Sequence, residues 1–177
     1  MKTAIYPGTF DPITYGHIDV IKKSLNIFDR VIIATTDNIN KNYYFSINDR
    51  VEIINNSLFK DLKFNKRKIK VISFNNLTID LCKKYNANAI IRGLRAVSDF
   101  EYEFQLAGMN KKLNSKIETM FLMSDVENQI ISSKFVKEIA SLGGNINRFV
   151  TKYAEKMLKN KSEWKNFTIY LFFFLVY

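Results

Sequence analysis

The sequence predicts an α/β protein with a Rossmann-like, doubly wound parallel sheet of five strands and helices on both faces. Short apolar runs of strand-forming residues alternate with longer segments in which apolar residues recur at helical spacing. This alternation is typical of βα units, in which each helix returns the chain to the next parallel strand. The chain has 177 residues, of which 47% are hydrophobic, so it is long enough for one such domain.

The apolar runs and the helical stripes follow one another in order along the chain. Ser98 and Glu101 have the spacing of a capping box and predict a helix start after the fourth strand. Ser132 or Ser133 could cap a later helix that the pair Gly143-Gly144 would end. The candidate strands are Thr3 to Tyr6, Val31 to Thr35, Ile69 to Phe74, Ala89 to Ile91 and Thr119 to Met123. The first two stripes are Ile18, Ile21, Leu25, Phe28 and Val51, Ile54, Leu58.

The net charge favours an anionic partner. Lys and Arg number 27 against 17 Asp and Glu, which gives a formal net charge of +10. Nucleic acid, an acidic membrane surface and phosphorylated small molecules all fit such a charge. The excess is mostly lysine in a chain also rich in Asn, Ile, Phe and Tyr, so compositional bias alone can also produce it.

Cysteine content and the chain ends bear on location. The single cysteine, Cys82, cannot form an internal disulfide, and with one histidine the chain cannot build a Cys/His zinc cluster. No apolar run near the N-terminus is long enough for a signal peptide, so we expect a cytoplasmic protein. The uncharged, Phe-rich run over 167–177 falls short of the roughly 20 residues of a membrane-spanning helix. We expect a domain over 1–160 and a hydrophobic tail over 161–177.

The loop after the first candidate strand carries the strongest chemical signal. Residues 6–17 join a strand to a helix start through Gly and Pro, and backbone N–H groups at such a place favour an anion. Gly8 and Gly16 permit close backbone approach. His17, the only histidine, falls in the first helical turn, where as an imidazolium it would donate to phosphate oxygens in a transition state. A capping or packing histidine is the alternative.

Two later strand ends add phosphate-compatible groups. Arg92 and Arg95 flank Gly93 after the fourth candidate strand, and a guanidinium fork suits phosphate oxygens. The segment 129–137 opens a helix with hydroxyls and lysines. The carboxyl ends of parallel strands share one edge of the sheet, so the three loops together predict a phosphate site. A surface arginine pair and a plain helix cap are the alternatives.

These motifs resemble those of the nucleotidyltransferases related to class I aminoacyl-tRNA synthetases, whose loop closes in His/Thr-x-Gly-His, here 14–17. The wider pattern is similar to the bacterial phosphopantetheine adenylyltransferase family and covers about residues 2–158. The matching stretches are 6–14, 16–19, 91–97, 99–103, 105–107, 109–110 and 131–133.

The resemblance implies a reaction and its partners. The phosphate of 4′-phosphopantetheine would attack the α-phosphorus of ATP, giving dephospho-coenzyme A and pyrophosphate in coenzyme A biosynthesis. Mg²⁺ would be the cofactor and would offset the triphosphate charge. We assign no residue of the chain as a metal ligand. The family also implies a homo-oligomer, a hexamer, with no nucleic-acid partner and no membrane span.

The resemblance further assigns roles to individual residues. His17 would stabilise the transition state at the α-phosphate, while Lys41 and Arg92 would hold the phosphate of 4′-phosphopantetheine. Thr9 would contact both substrates, and Thr78 would line the pantetheine arm. The nucleotide would be bound by Thr9, Phe10, His17, Gly93, Leu94, Arg95, Glu103 and the closing segment Asn128, Gln129, Ile130, Ile131, Ser132, Ser133 and Lys134.

Three positions of the closing segment depart from the family pattern. Asn128 and Ile130 stand where aromatic residues are usual, so we expect looser packing on adenine. Lys134 stands where Ser or Thr is usual. A cation in the first turn of a helix is mildly unfavourable, so we hypothesise that Lys134 contacts the β- or γ-phosphate. An exposed lysine without a role is the alternative.

Two other functions remain open from the sequence. A sibling nucleotidyltransferase acting on nicotinamide mononucleotide or glycerol 3-phosphate would share the strand-end loops, although the block 92–105 argues against it. A nucleic-acid-binding domain would explain the net charge and would bind with a steep salt dependence. The basic residues are spread along the chain, however, and no basic-aromatic recognition motif is evident.

Overall fold

The computed structural model describes residues 1–38, 42–95 and 97–161. Within them lies a sheet of five parallel strands in the order β3-β2-β1-β4-β5. All five predicted strands are confirmed, and β1 and β4 continue beyond their predicted ends. The strands are β1 Thr3–Gly8, β2 Arg30–Thr36, β3 Ile69–Phe74, β4 Ala89–Leu94 and β5 Glu118–Met123.

Helices connect the strands as the apolar spacing predicts. Ser132 is the N-cap of α6, and its hydroxyl accepts the Phe135 N–H at 3.2 Å. Helix α4 begins at Val97, before the predicted capping box, so Ser98 lies inside the first turn. A π-helical turn over Asn56–Asp61 continues α2. The helices are α1 Tyr15–Ile27, α2 Ile47–Asn55, α3 Thr78–Tyr85, α4 Val97–Leu113, α5 Val126–Gln129, α6 Ser133–Ser141 and α7 over 152–161.

Alternate side chains of the strands pack into two separate cores. Tyr6 on β1 belongs to the cluster that includes apolar residues of α1, α2, α6 and α7. Its neighbour Ile5 points to the other face, where it clusters with Ile79 and Cys82 of α3. Helices therefore cover both faces, as predicted. Burial raises the pKa of the Cys82 thiol to about 11, so this residue is a packed, protonated thiol.

The winding direction of the sheet reverses between β1 and β4. From β1 the chain adds β2 and β3 on one side, and it then returns to add β4 and β5 on the other. β1 and β4 pair only at Ala4 with Ala89 and at Ile5 with Ile90, although both strands run further. The two strands therefore separate toward their carboxyl ends. Sheets of this kind bind ligands in the crevice at such a reversal point.

Two predictions fall outside the described residues. Lys41 lies in the gap between residues 38 and 42. The expected tail over 161–177 lies, apart from Lys161, beyond the end of the described chain. Among the helices that are described, none is both long enough and apolar enough to cross a membrane.

The end of β1 depends on a glycine. A Cβ on Gly8 would lie 2.9 Å from ring carbons of Phe10. The Phe10 ring is fully buried, and the Phe10 backbone already has a positive φ of 46°, so the ring has little room to move. Position 8 thus has no space for a side chain.

We predict that Gly8→Ala lowers the free energy of unfolding by about 1–3 kcal/mol, because the added methyl overpacks the Phe10 site. Urea unfolding measures this difference. Gly108→Ala is the matched control, since a Cβ at Gly108 in α4 meets nothing within 4 Å. The control should be neutral or stabilising by up to about 1 kcal/mol, because alanine has the higher helix propensity. A Gly8→Ala protein as stable as the control would contradict the packing described here.

Candidate active site

A cleft of about 600 Å³ opens at the carboxyl ends of β1 and β4. Its volume lies in the range of small-molecule sites. The wall is formed by the loop after β1, the end of β4, the start of α3, part of α4 and the start of α6. It brings together most of the predicted site residues. These are Thr9, Phe10, His17, Thr78, Arg92, Gly93, Leu94, Arg95, Glu103, Ile131, Ser132, Ser133 and Lys134.

Three predicted nucleotide contacts lie beside the cleft and not in its wall. The Asn128 side chain donates to Asp19 Oδ2, and Gln129 Nε2 donates to the Ser124 carbonyl at 3.1 Å. Ile130 is 81% exposed. The backbone carbonyl of Asn128 nevertheless reaches the start of α1, where it would lie 3.0 Å from a Cβ on Gly16. The segment therefore borders the site through its backbone.

Helix α1 fixes the orientation of the His17 ring. The Thr14 N–H donates to Nδ1 at 3.1 Å, and Thr14 Oγ1 lies 2.9 Å from the same nitrogen. Burial lowers the pKa of His17 to about 4, and the positive charge of Arg95 adds to this effect. Since Nδ1 accepts a backbone hydrogen bond, the proton of the neutral ring resides on Nε2. The predicted imidazolium is therefore wrong: near neutral pH His17 is a neutral Nε2–H donor in the cleft wall.

The Phe10 ring packs against the His17 ring. The two ring centroids are 5.1 Å apart in an edge contact, and Phe10 makes a second edge contact with Tyr6 at 5.3 Å. The Phe10 side chain has no exposed surface. A nucleotide contact at this residue would therefore use its backbone, while its ring positions His17.

Arg92 bridges the opening between β1 and β4. Its Nε donates to Glu103 Oε2 at 2.6 Å, its Nη2 donates to Oε1, and its Nη1 donates to the Pro7 carbonyl at 3.1 Å. Burial lowers the pKa of Arg92, but the hydrogen bonds and charge of Glu103 outweigh this and raise the pKa overall. These contacts leave an N–H on each terminal nitrogen for an anion. Glu103 thus positions a charged guanidinium.

Cationic side chains and helix starts give the cleft its anion-binding character. Arg92 and Arg95 lie on one side, and Lys134 lies in the first turn of α6 on another. The starts of α1 and α6 also line the cleft, which places their partial positive charges beside it. Ser133 connects the start of α6 to the loop before α1, because its hydroxyl donates to the Pro12 carbonyl at 2.8 Å.

Two buried charged residues near the site escaped the sequence analysis. Asp11 accepts the N–H groups of Tyr44 and Phe45 at 2.8 and 2.9 Å and pairs with Lys137 at 2.9 Å, so it links three segments. Arg50 on α2 is fully buried. A signal for Arg50 exists in the sequence, since it occupies the same helical face as the buried residues that follow it by one turn. No local pattern marks Asp11, whose partners are distant in sequence.

The protein side chains offer little to a metal ion. The described residues contain no grouping of three or more His, Cys, Asp or Glu that could hold one. The carboxylates near the cleft have other partners: Glu103 is held by Arg92, and Asp19 by Asn128.

Comparisons with known proteins show which family the chain belongs to. A family model described as cytidylyltransferase-like matches residues 5–139. A phosphopantetheine adenylyltransferase of Pelagibacter ubique is 68% identical over 162 residues, which cover 92% of this chain and 99% of that protein. The same-named protein of Caldanaerobacter subterraneus is 48% identical over 161 residues, covering 91% and 98%.

The fold is also similar to a solved structure. Plasmodium falciparum nicotinic acid mononucleotide adenylyltransferase, complexed with NaAD, aligns with a TM-score of 0.63 at 17% identity. The alignment covers 94% of this chain and 97% of that one. At this identity the likeness concerns the fold alone.

We predict that the single histidine signal in an NMR titration of the folded protein moves with a midpoint near pH 4. Nitrogen shifts above pH 6 should show a protonated Nε2. The urea-unfolded chain is the control and should titrate near 6.5. Because the folded pKa is the lower one, protonation favours unfolding, and stability from the neutral ring is lost as pH falls from 6.5 through 4. A folded midpoint at or above 6.5, or a protonated Nδ1, would refute the assignment.

Proposed function

The chain belongs to the phosphopantetheine adenylyltransferase family, within the cytidylyltransferase-like proteins, and from this we propose that it transfers the adenylyl group of ATP to 4′-phosphopantetheine. The products are dephospho-coenzyme A and pyrophosphate, so the reaction serves coenzyme A biosynthesis. The observation that carries the proposal is the cleft at the β1/β4 opening, where a fixed Arg92 and a neutral His17 face the same space.

The chemistry asks for positioning more than for proton transfer. An oxygen of the acceptor phosphate forms a bond to the α-phosphorus of ATP, and the bond from that phosphorus to the bridging oxygen of pyrophosphate breaks. The nucleophile is already ionised near neutral pH, so no protein base is needed. His17 Nε2–H donates to a non-bridging oxygen of the α-phosphate, where negative charge grows in the transition state.

The two substrates occupy different sides of the cleft in this proposal. Arg92 offers its remaining N–H groups to the acceptor phosphate, together with Lys41 from the segment outside the described residues. The pantetheine arm runs past Thr78 and the neighbouring Leu77, which is 58% exposed. The nucleotide lies along the starts of α1 and α6 and the end of β4. The residues assigned to it are Thr9, Phe10 through its backbone, His17, Gly93, Leu94, Arg95, Glu103 and 128–134.

Mg²⁺ would be bound as part of the nucleotide substrate and would offset charge on the triphosphate. Hydroxyls and backbone N–H groups of the cleft would donate hydrogen bonds to the phosphate oxygens.

We propose further that the domain over 1–160 assembles into a homo-oligomer, a hexamer, in the cytoplasm. Exposed apolar side chains on α4 and β5 support the assembly, because surfaces of this kind are normally covered by another chain. They are Phe100, Phe104, Met109, Leu113 and Met123.

The deciding experiment measures pyrophosphate release from ATP with one acceptor at a time. 4′-Phosphopantetheine, nicotinamide mononucleotide and glycerol 3-phosphate are compared at equal concentration. We expect release with 4′-phosphopantetheine and dephospho-coenzyme A as the coupled product. Preferred use of another acceptor would replace the proposal with a sibling transferase, and no release with any acceptor would overturn it.

His17→Ala should lower kcat by about 10²–10³-fold while the dissociation constant for ATP changes only a few-fold, because the lost hydrogen bond strengthens in the transition state. Single-turnover rates and ATP titration by calorimetry measure the two quantities. His17→Gln is the matched variant, since its amide retains an N–H donor, and it should recover part of the rate. Equal losses in rate and ATP affinity would make His17 a ground-state binding residue.

Lys134→Ser should raise the KM for ATP roughly three- to tenfold, because one cation near the triphosphate is lost. The KM for 4′-phosphopantetheine should stay constant. Lys116→Ser, at an exposed position away from the cleft wall, is the control. An unchanged KM for ATP in Lys134→Ser would eliminate the proposed phosphate contact.

A further inference from the structure

Arg50 is a charged side chain with no exposed surface. Its Nη1 lies within hydrogen-bond distance of the Thr9 carbonyl at 3.0 Å, the Thr36 carbonyl at 2.7 Å and Thr35 Oγ1 at 3.2 Å. Its Nη2 donates to Asp37 Oδ1 at 3.2 Å. The guanidinium therefore holds the backbone at the ends of both β1 and β2.

Burying the Arg50 guanidinium carries a desolvation cost that its partners only partly offset. The Nε of Arg50 is buried and has no hydrogen-bond partner among the described residues. The Asp37 side chain that faces the guanidinium is itself 50% exposed, so the countercharge is partly in water. Buried charges with incomplete compensation often stabilise less than apolar residues of the same size would. A role in placing the backbone explains such a residue better than stability does.

The groups held by Arg50 form one wall of the cleft. Thr9 and Thr36 both line it. The Asp37 N–H donates to the Phe74 carbonyl at 2.8 Å, and Phe74 lines the same wall. This wall lies on the β2/β3 side of the cleft, next to the start of α3, past which the proposed pantetheine arm runs.

A second contact extends the hold beyond β2. The Tyr43 ring stacks on the Arg50 guanidinium, with 3.8 Å from Cζ to the ring centroid. The Tyr43 hydroxyl accepts the Asn38 N–H at 3.0 Å. The backbone on both sides of residues 39–41 is thus fixed to the same guanidinium, directly or through one side chain.

We infer that Arg50 is a positioning residue that sets the affinity for the acceptor substrate without touching it. Its fork places the Thr9 and Thr36 carbonyls and, through Asp37 and Tyr43, the rest of the β2/β3 side of the cleft. Of the described groups assigned to the nucleotide, Arg50 holds only the Thr9 carbonyl, so the nucleotide side, at the starts of α1 and α6, depends on it less. The substrate part of this inference rests on the proposed function above.

Arg50→Lys tests the inference because lysine keeps the charge but cannot reach Thr9, Thr36 and Asp37 at once. We expect the KM for 4′-phosphopantetheine to rise roughly tenfold, while the ATP dissociation constant changes less than about threefold. Arg67→Lys, an exposed position, is the matched control and should behave as wild type. Unchanged acceptor KM in a folded Arg50→Lys protein would overturn the inference, as would equal weakening of both substrates.

Amide hydrogen exchange supplies a readout that needs no activity. Arg50→Lys should exchange faster than wild type over residues 36–38 and 42–45, with α6 unchanged; equal exchange over these residues would overturn the inference. Wild-type turnover, measured in parallel, tests the proposed function separately.

A second variant covers a failure of Arg50→Lys to fold. Asp37→Ala removes the half-exposed partner and should shift the same two quantities in the same direction by a smaller amount. A folded Asp37→Ala protein with wild-type exchange and wild-type acceptor KM would overturn the inference.

Discussion

The buried Phe10 ring leaves no room for a side chain at Gly8, where β1 ends, and the rest of the site is arranged around that point. The buried ring meets Tyr6 on one side and His17 on the other, so the strand, the loop and the first turn of α1 share one rigid support. The reversal of winding at β1 then supplies the space, because β4 separates from β1 beyond Ile90. Arg92 spans this separation through Glu103 on one side and Pro7 on the other.

The electrostatics of the cleft depend on the hydrogen bonds that orient His17 and Arg92 and on the N–H groups that these bonds leave unused. Burial keeps the His17 ring neutral. Because Nδ1 accepts the backbone N–H of Thr14, the ring proton lies on Nε2. Glu103 occupies part of the Arg92 fork and keeps it charged. The site therefore contains oriented hydrogen-bond donors and fixed positive charge. The buried thiol of Cys82 lies on α3, where it packs against the sheet away from the cleft wall. Such a site suits attack by an already ionised phosphate.

The sequence predicted those features that depend on local pattern. All five strands followed from short apolar runs, and the place of His17 followed from the loop and helix start around it. Its charge did not, because burial and Arg95 on another strand end determine its pKa. Arg50 and Asp11 were missed because their partners come from segments far along the chain. The π-helical turn over Asn56–Asp61 likewise has no local signal in the sequence.

The account's central claim is direct transfer of the adenylyl group from ATP to the acceptor phosphate, with the protein supplying position and charge but no nucleophile. The stereochemical course at the α-phosphorus tests this most directly, using one diastereomer of ATP that carries sulfur on the α-phosphate and 4′-phosphopantetheine as the acceptor. A single in-line displacement predicts inversion of configuration in the dephospho-coenzyme A product. Retention would mean two displacements through an adenylylated side chain and would contradict the account.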